Sequence, residues 1–105
     1  MLGHVRGRHK LIEGDVEITA PEYFKEHPEL IVAFAYFDMA LYQPTKAALQ
    51  AIKSHLVSGS ILLLDELTWE VSPGEAIAFK EVFSRDEVVI EKCTLYPSKA
   101  IVTIR

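Results

Sequence analysis

The sequence predicts an α/β domain with a mostly parallel sheet that ends in an antiparallel pair of strands. Three observations carry the prediction. Two continuous apolar runs, residues 30–37 and 61–64, have the pattern of strands buried on both faces. Helical patterns with polar and apolar sides alternate with these runs. Two β-rich stretches, residues 87–93 and 100–104, then follow each other at the C-terminus around Tyr96-Pro97-Ser98, which reads as a hairpin turn. At 105 residues the chain has the length of a single domain, here residues 1–105.

Taken in order, residues 10–15 (Lys10-Leu11-Ile12-Glu13-Gly14-Asp15) predict a short strand that ends in a turn at Gly14, with Asp15 as its polar end. Thr19-Ala20-Pro21-Glu22 has the pattern of a capping box and is expected to open a short helix, which His27-Pro28 stops. The run Leu30-Ile31-Val32-Ala33-Phe34-Ala35-Tyr36-Phe37 is the central strand and stops abruptly at Asp38. Residues 44–56 form an amphipathic helix with Ala48, Leu49, Ile52 and Leu56 on one face. Ser58-Gly59-Ser60 is expected to end it, with Gly59 as a left-handed cap. Ile61-Leu62-Leu63-Leu64 is the next buried strand, and it too stops at carboxylates, Asp65-Glu66. Ser72-Pro73-Gly74-Glu75 reads as a second capping box, and Gly74 is a weak residue for a first helical turn. The expected order is strand-helix-strand-helix-strand-helix-strand-strand.

Composition narrows the function. A net charge of −4 argues against a nucleic-acid partner, because phosphate binding relies on clustered Lys and Arg. No stretch approaches the roughly 20 apolar residues of a membrane span, and the basic N-terminus has no apolar segment behind it, so no signal peptide is expected. Cys93 is the only cysteine, which fits a reducing cytoplasm. His4, His9, His27 and His55 share no ligand spacing and are expected at the surface.

The strand ends carry the chemistry. A right-handed crossover places the two buried strands in one sheet, and as neighbours they would lie about 4.8 Å apart. Asp38, Asp65 and Glu66 would then converge at the sheet's C-terminal edge, where open α/β sheets bind their ligands. Such a cluster must be protonated, opened by water or neutralised by a cation, and oxygen-only donors favour Mg²⁺, Ca²⁺ or Mn²⁺. In the alternative reading Asp38 and Asp65 cap turns and Glu66 faces solvent; both readings stand at this point.

Three strings make the pattern more specific: Phe37-Asp38-Met39-Ala40-Leu41-Tyr42-Gln43-Pro44-Thr45-Lys46, Gly59-Ser60-Ile61-Leu62-Leu63-Leu64-Asp65-Glu66-Leu67 and Pro73-Gly74-Glu75. Together they resemble the C-terminal half of the macrocin O-methyltransferase-like family, class I S-adenosylmethionine-dependent methyltransferases that often act on sugar hydroxyls. The resemblance implies a truncated Rossmann-like methyltransferase sheet. It puts Asp38, Asp65 and Glu66 on the family's divalent-metal ligands, usually magnesium, with Asp38 as the candidate catalytic residue. It puts Asp15 where such enzymes often place an acidic residue near the cofactor's adenine.

The departures are as informative. Ala40 and Gln43 stand where the family usually has acidic residues, and Glu66 replaces the more usual second Asp. No G-x-G-x-x-G-like string occurs, so the glycine-rich cofactor half is absent from this sequence. The chain therefore reads as the metal- and substrate-binding half of a methyltransferase, inactive alone and not expected to hold S-adenosylmethionine by itself. A non-enzymatic interaction module derived from the fold is the alternative. A metal-dependent hydrolase using Asp38 is a third reading, and it lacks the lysine and threonine motifs of a phosphoryl site. Without its usual neighbour the strand at residues 30–37 would leave an open edge. A homo-oligomer is expected, most simply a dimer paired through that edge or through a swapped N-terminal segment.

Overall fold

The computed structural model describes residues 9–65, 73–93 and 99–105. Within them the chain runs α1 (Val16–Glu26), β1 (Val32–Phe37), α2 (Tyr42–Lys53), β2 (Leu56–Leu64), α3 (Pro73–Val82), β3 (Val88–Lys92) and β4 (Ala100–Ile104). The four strands form one sheet in the order β1-β2-β4-β3. β1 and β2 are parallel, and β4 lies antiparallel to both β2 and β3. Three strands thus run one way and β4 runs against them, the expected mostly parallel sheet with an antiparallel terminal hairpin. The tip of that hairpin lies outside the described residues.

The first expected strand does not form. Residues 9–13 carry no regular structure, and the reason is geometric: a strand needs a neighbour, and β1 pairs β2 without any strand from this segment on its other side. The first helix also begins earlier than the Thr19 capping box implies. Asp15 is the N-cap, its carboxylate accepting the Glu17 N–H at 2.9 Å. Pro21 therefore sits inside α1. The second helix ends at Lys53 with Ser54 as C-cap, not at Gly59. Gly59, at φ +93°, belongs to β2. There the register jumps from Val32↔Leu56 to Phe34↔Ile61, so β2 bulges against β1. Ser60 pins the bulge: its buried hydroxyl donates to the Val32 carbonyl at 2.7 Å and accepts the Val57 N–H at 2.9 Å.

Helix α1 packs on α2, and α2 on α3. Two side-chain groups tie α2 to the end of α3. Lys46, Tyr42 and Glu81 form one, with the Lys46 ammonium 3.1 Å from both partners. In the other, Lys53 donates to the Val82 carbonyl at 2.7 Å and pairs with Glu87 at 3.2 Å. Leu49 and Ile52 of α2, with Ala78, Phe79 and Phe83 around α3, cover one face of the sheet. That face presents Phe37, Leu62, Leu64, Val102 and Val88. The register places Phe34, Tyr36, Ile61, Leu63, Ile101 and Val89 on the other face. Among the described residues this second face is open: Phe34 is 59% exposed and Tyr36 50%. Among the described residues, no helix is long and apolar enough to cross a membrane.

Candidate functional site

Asp38 follows the last residue of β1, and Asp65 follows the last residue of β2. Because the strands are adjacent and parallel, their C-terminal ends coincide. The Asp65 N–H donates to the Phe37 carbonyl at 2.9 Å, one rung past the ladder, and this holds the two aspartates side by side. The expected convergence of the two aspartates is therefore present. Glu66, the third member of the expected cluster, lies outside the described residues.

The structure adds two residues that sequence reasoning missed. Lys99 precedes β4, whose first residue, Ala100, pairs with Leu64 at the end of β2. That register brings the Lys99 ammonium onto the Asp65 carboxylate in a close ion pair. Tyr36, on the open face, donates its hydroxyl to Asp65 at 3.3 Å and receives a contact from Lys99 at 3.4 Å. The Lys99 ammonium also lies 5.7 Å from the Tyr36 ring centre.

The electrostatics follow from this arrangement. Sharing of a proton with Asp65, and then the charge of Asp65, raise the Asp38 carboxyl above its ordinary value. The Lys99 ammonium holds Asp65 below its own, and Asp65 in turn pushes Lys99 upward. Asp38 is exposed, so its oxygens face solvent while Asp65 is partly enclosed. Among the described residues no group of three His, Cys, Asp or Glu side chains could hold a metal ion. The two described carboxylates offer only oxygen, the donor type of hard cations, and the Lys99 ammonium already neutralises one of them.

The turn after Asp38 has its own support. Glu75 is fully buried, and one carboxylate oxygen accepts the N–H groups of Met39 at 3.1 Å and Ala40 at 2.8 Å. The sequence pattern assigned Glu75 to a capping box with Ser72, which lies outside the described residues; these two bonds add a tie from α3 to the turn. Gly74 explains its own presence in the first turn of α3. A Cβ there would meet the Ala40 carbonyl oxygen at 2.6 Å and the Tyr42 nitrogen at 2.8 Å.

Asp15, the candidate cofactor residue, is exposed at the start of α1 and caps that helix. Of the four histidines expected at the surface, His9 is exposed, His4 lies outside the described residues, and the other two are less superficial. His27 and His55 are half-buried, and each has Nδ1 at 2.8 Å from a backbone carbonyl, that of Tyr23 and of Leu30 respectively. They lie apart from the aspartates in the sequence and serve the packing of α1, His55 against Phe24 at 4.7 Å between ring centres.

Two solved structures are similar to this chain. One is the apo structure of CalS11, a TDP-rhamnose 3'-O-methyltransferase and an enzyme in calicheamicin biosynthesis, with 43% identity, a TM-score of 0.84, and coverage of 97% of this chain and 43% of that one. The other is the crystal structure of CalS11 described as a calicheamicin methyltransferase, again 43% identical, with a TM-score of 0.85 and coverage of 97% and 40%. No protein-family model matches the chain, and no curated protein matches it. The chain spans less than half the length of the solved proteins it resembles. Its fold is methyltransferase-like, a small α/β unit whose parallel pair of strands ends in two adjoining aspartates.

Proposed function

We propose that this chain forms the acceptor- and metal-binding half of a divalent-metal-dependent S-adenosylmethionine O-methyltransferase, and that it is inactive until a cofactor-binding unit completes it. The observation that carries the reading is the meeting of Asp38 and Asp65 at adjoining parallel strand ends, within a chain 43% identical to a methyltransferase. Asp38 and Asp65 would hold the cation, with Glu66 as the third oxygen ligand suggested by the sequence. When bound, a magnesium-like ion would draw the acceptor hydroxyl close and lower its pKa.

The chain's own residues supply the rest. Asp38 offers the solvent-facing oxygens on which an acceptor would be oriented. Lys99 favours the ionised form of Asp65 and occupies a carboxylate oxygen that a cation would have to share. Ala40 and Gln43 carry no base, so Asp38 is the carboxylate best placed to take the hydroxyl proton. S-adenosylmethionine, when bound, would supply the methyl group from its sulfonium, and Asp38 would receive the proton that the acceptor hydroxyl gives up. Asp15, which caps α1, is the residue that the resemblance would set near the cofactor's adenine. Its single carboxylate does not suffice for affinity, and the chain alone is expected to bind S-adenosylmethionine no tighter than about 100 μM, which corresponds to roughly 5.5 kcal/mol. A reducing cytoplasm suits its single cysteine. Calorimetric titration of the purified chain with MgCl₂ and MnCl₂ tests the reading: heat of binding that disappears in Asp38→Asn supports it, and no binding at millimolar ion overturns it.

A second reading, an interaction module that associates through its sheet, is favoured by the position of β1. It is an edge strand with no Lys or Pro to blunt it, next to an apolar open face. Its sequence is self-complementary. In an antiparallel two-fold pairing centred on Ala35, Phe34 lies opposite Tyr36 of the partner subunit and both edges are satisfied. Sedimentation velocity at micromolar concentration distinguishes a dimer from a monomer, and a monomer removes this reading.

A further inference from the structure

We propose that Glu75 is a positioning residue for Asp38, and that Gly74 and Glu75 together form a clasp setting the cation affinity of the strand-end site. The proposal deepens the methyltransferase reading and rests on it to the extent that Asp38 is a cation ligand. Its basis is local geometry. The Met39 N–H belongs to the same peptide plane as the Asp38 carbonyl, so the bond from Met39 to the Glu75 carboxylate fixes how that plane turns about Asp38. The Ala40 N–H bonds the same oxygen and fixes the next plane. The plane before Asp38 is held by the Asp65 N–H on the Phe37 carbonyl at 2.9 Å, so with the planes on both sides fixed the Cα–Cβ bond of Asp38 has one direction.

Two features indicate that the turn is held from outside and does not relax into place. Ala40 has φ +61°, a conformation that a residue with a Cβ seldom adopts without external support. Gly74 presses against the same turn with no space for a side chain, so α3 and the turn approach at backbone contact. Glu75 itself is fully buried, a costly place for a carboxylate unless its hydrogen bonds are well made. Oriented partners behind a metal ligand commonly govern affinity, and their loss costs about ten- to a hundredfold.

The test uses the whole chain and three variants, with Mn²⁺ calorimetry and amide hydrogen exchange as readouts. Glu75→Gln is the decisive control, since a single oxygen accepts both N–H groups and the amide oxygen of glutamine can replace it without the charge. In Glu75→Ala, the Met39 and Ala40 amides should lose protection and Mn²⁺ affinity should fall about ten- to a hundredfold. In Glu75→Gln, protection should persist and most of the affinity should return. Gly74→Ala, which leaves every charge in place, should lower affinity by displacing the turn, and it carries the test if Glu75→Ala does not fold. Equal loss of affinity in Glu75→Gln with both amides still protected would mean that Glu75 acts through charge, which overturns the proposal. If the wild-type chain binds no Mn²⁺, the metal reading falls separately. The exchange arm then decides the clasp alone, and unchanged protection in Glu75→Ala defeats it.

Discussion

The two faces of the sheet are built from the same kinds of residue and meet opposite fates. On the helix-covered face Leu62, Leu64 and Val102 are completely buried. One residue away along the same strands, Ile61 is 36% exposed, and Phe34 on the neighbouring strand is 59% exposed. Alternation sends neighbouring side chains to opposite faces, so a continuous apolar run supplies two equally apolar surfaces. Helices α1, α2 and α3 serve only one of them. The difference teaches that an apolar run records the environment for which a strand is suited, whereas its burial depends on which layers are present to cover it. The same holds in the plane of the sheet, where β1 has the composition of a central strand and the position of an edge.

The sharpest way to break this comparison is to truncate one residue on each face. Leu62→Ala should cost about 2–5 kcal/mol, the usual range for a fully buried leucine. Phe34→Ser should stay within about 0.5 kcal/mol of the wild type in dilute protein if its face is bare. Urea unfolding measures both. A cost at Phe34 that grows with protein concentration would show that a second copy covers the face.

Buried hydroxyls on the covered side give the next largest effects, and of opposite sign. Ser60→Ala removes the partner of the Val57 N–H and the Val32 carbonyl, and should cost about 1–3 kcal/mol. Thr45 is also fully buried, and its hydroxyl has no hydrogen-bond partner among the described residues. Thr45→Val keeps the shape and discards that unmet group, so it should be neutral or stabilising, by at most about 1–3 kcal/mol, and a raised melting temperature would report it. A large loss in Thr45→Val would show that the hydroxyl is satisfied after all.

A charge on the edge sharpens the in-plane half of the comparison. Phe34→Lys, on the open face, should leave a monomer folded and should abolish any dimer built on β1, a difference that sedimentation reads directly.

The smallest effect concerns the strand ends, and its sign depends on pH. Asp38, raised by Asp65, binds its proton more tightly in the folded chain, so acidification from neutral pH toward the ordinary value of 3.8 should increase stability. Asp65, held low by Lys99, contributes stability that is present above 3.8 and is lost as pH falls through its lowered value. The melting temperature should therefore rise and then fall on acidification. Asp38→Asn should flatten the rising part, stabilise the metal-free chain at neutral pH and remove any stabilisation by millimolar Mg²⁺. A profile unchanged by the substitution would mean that the two aspartates do not interact.

Much of the site could be read from the sequence because its signals are local. Asp38 and Asp65 each end an apolar run, and a parallel pairing through one intervening helix is the ordinary outcome of such a pattern. Lys99 could not be found in this way. It lies 34 residues from Asp65 and joins it only because β4 inserts beside β2, and nothing in the local pattern distinguishes that order from β3 beside β2. Glu75 was legible only as a member of a capping box with Ser72, since a glutamate in a first helical turn ordinarily serves its own helix, and its bonds to the distant turn left no local signal. Its actual partners, Met39 and Ala40, are 36 and 35 residues away.

By itself the sequence determined the strand cores, the three helical segments, the terminal hairpin and the carboxylates at the strand ends, because each depends on neighbours within a few residues. Tertiary structure alone decided that residues 9–13 form no strand, that Gly59 lies in a bulge, and that one sheet face is left open among the described residues. It also decided that Lys99 neutralises Asp65 and that Gly74 and Glu75 grip the turn after Asp38. Each of these depends on which backbone lies alongside, and strand pairing and layer coverage are properties of distant segments brought together.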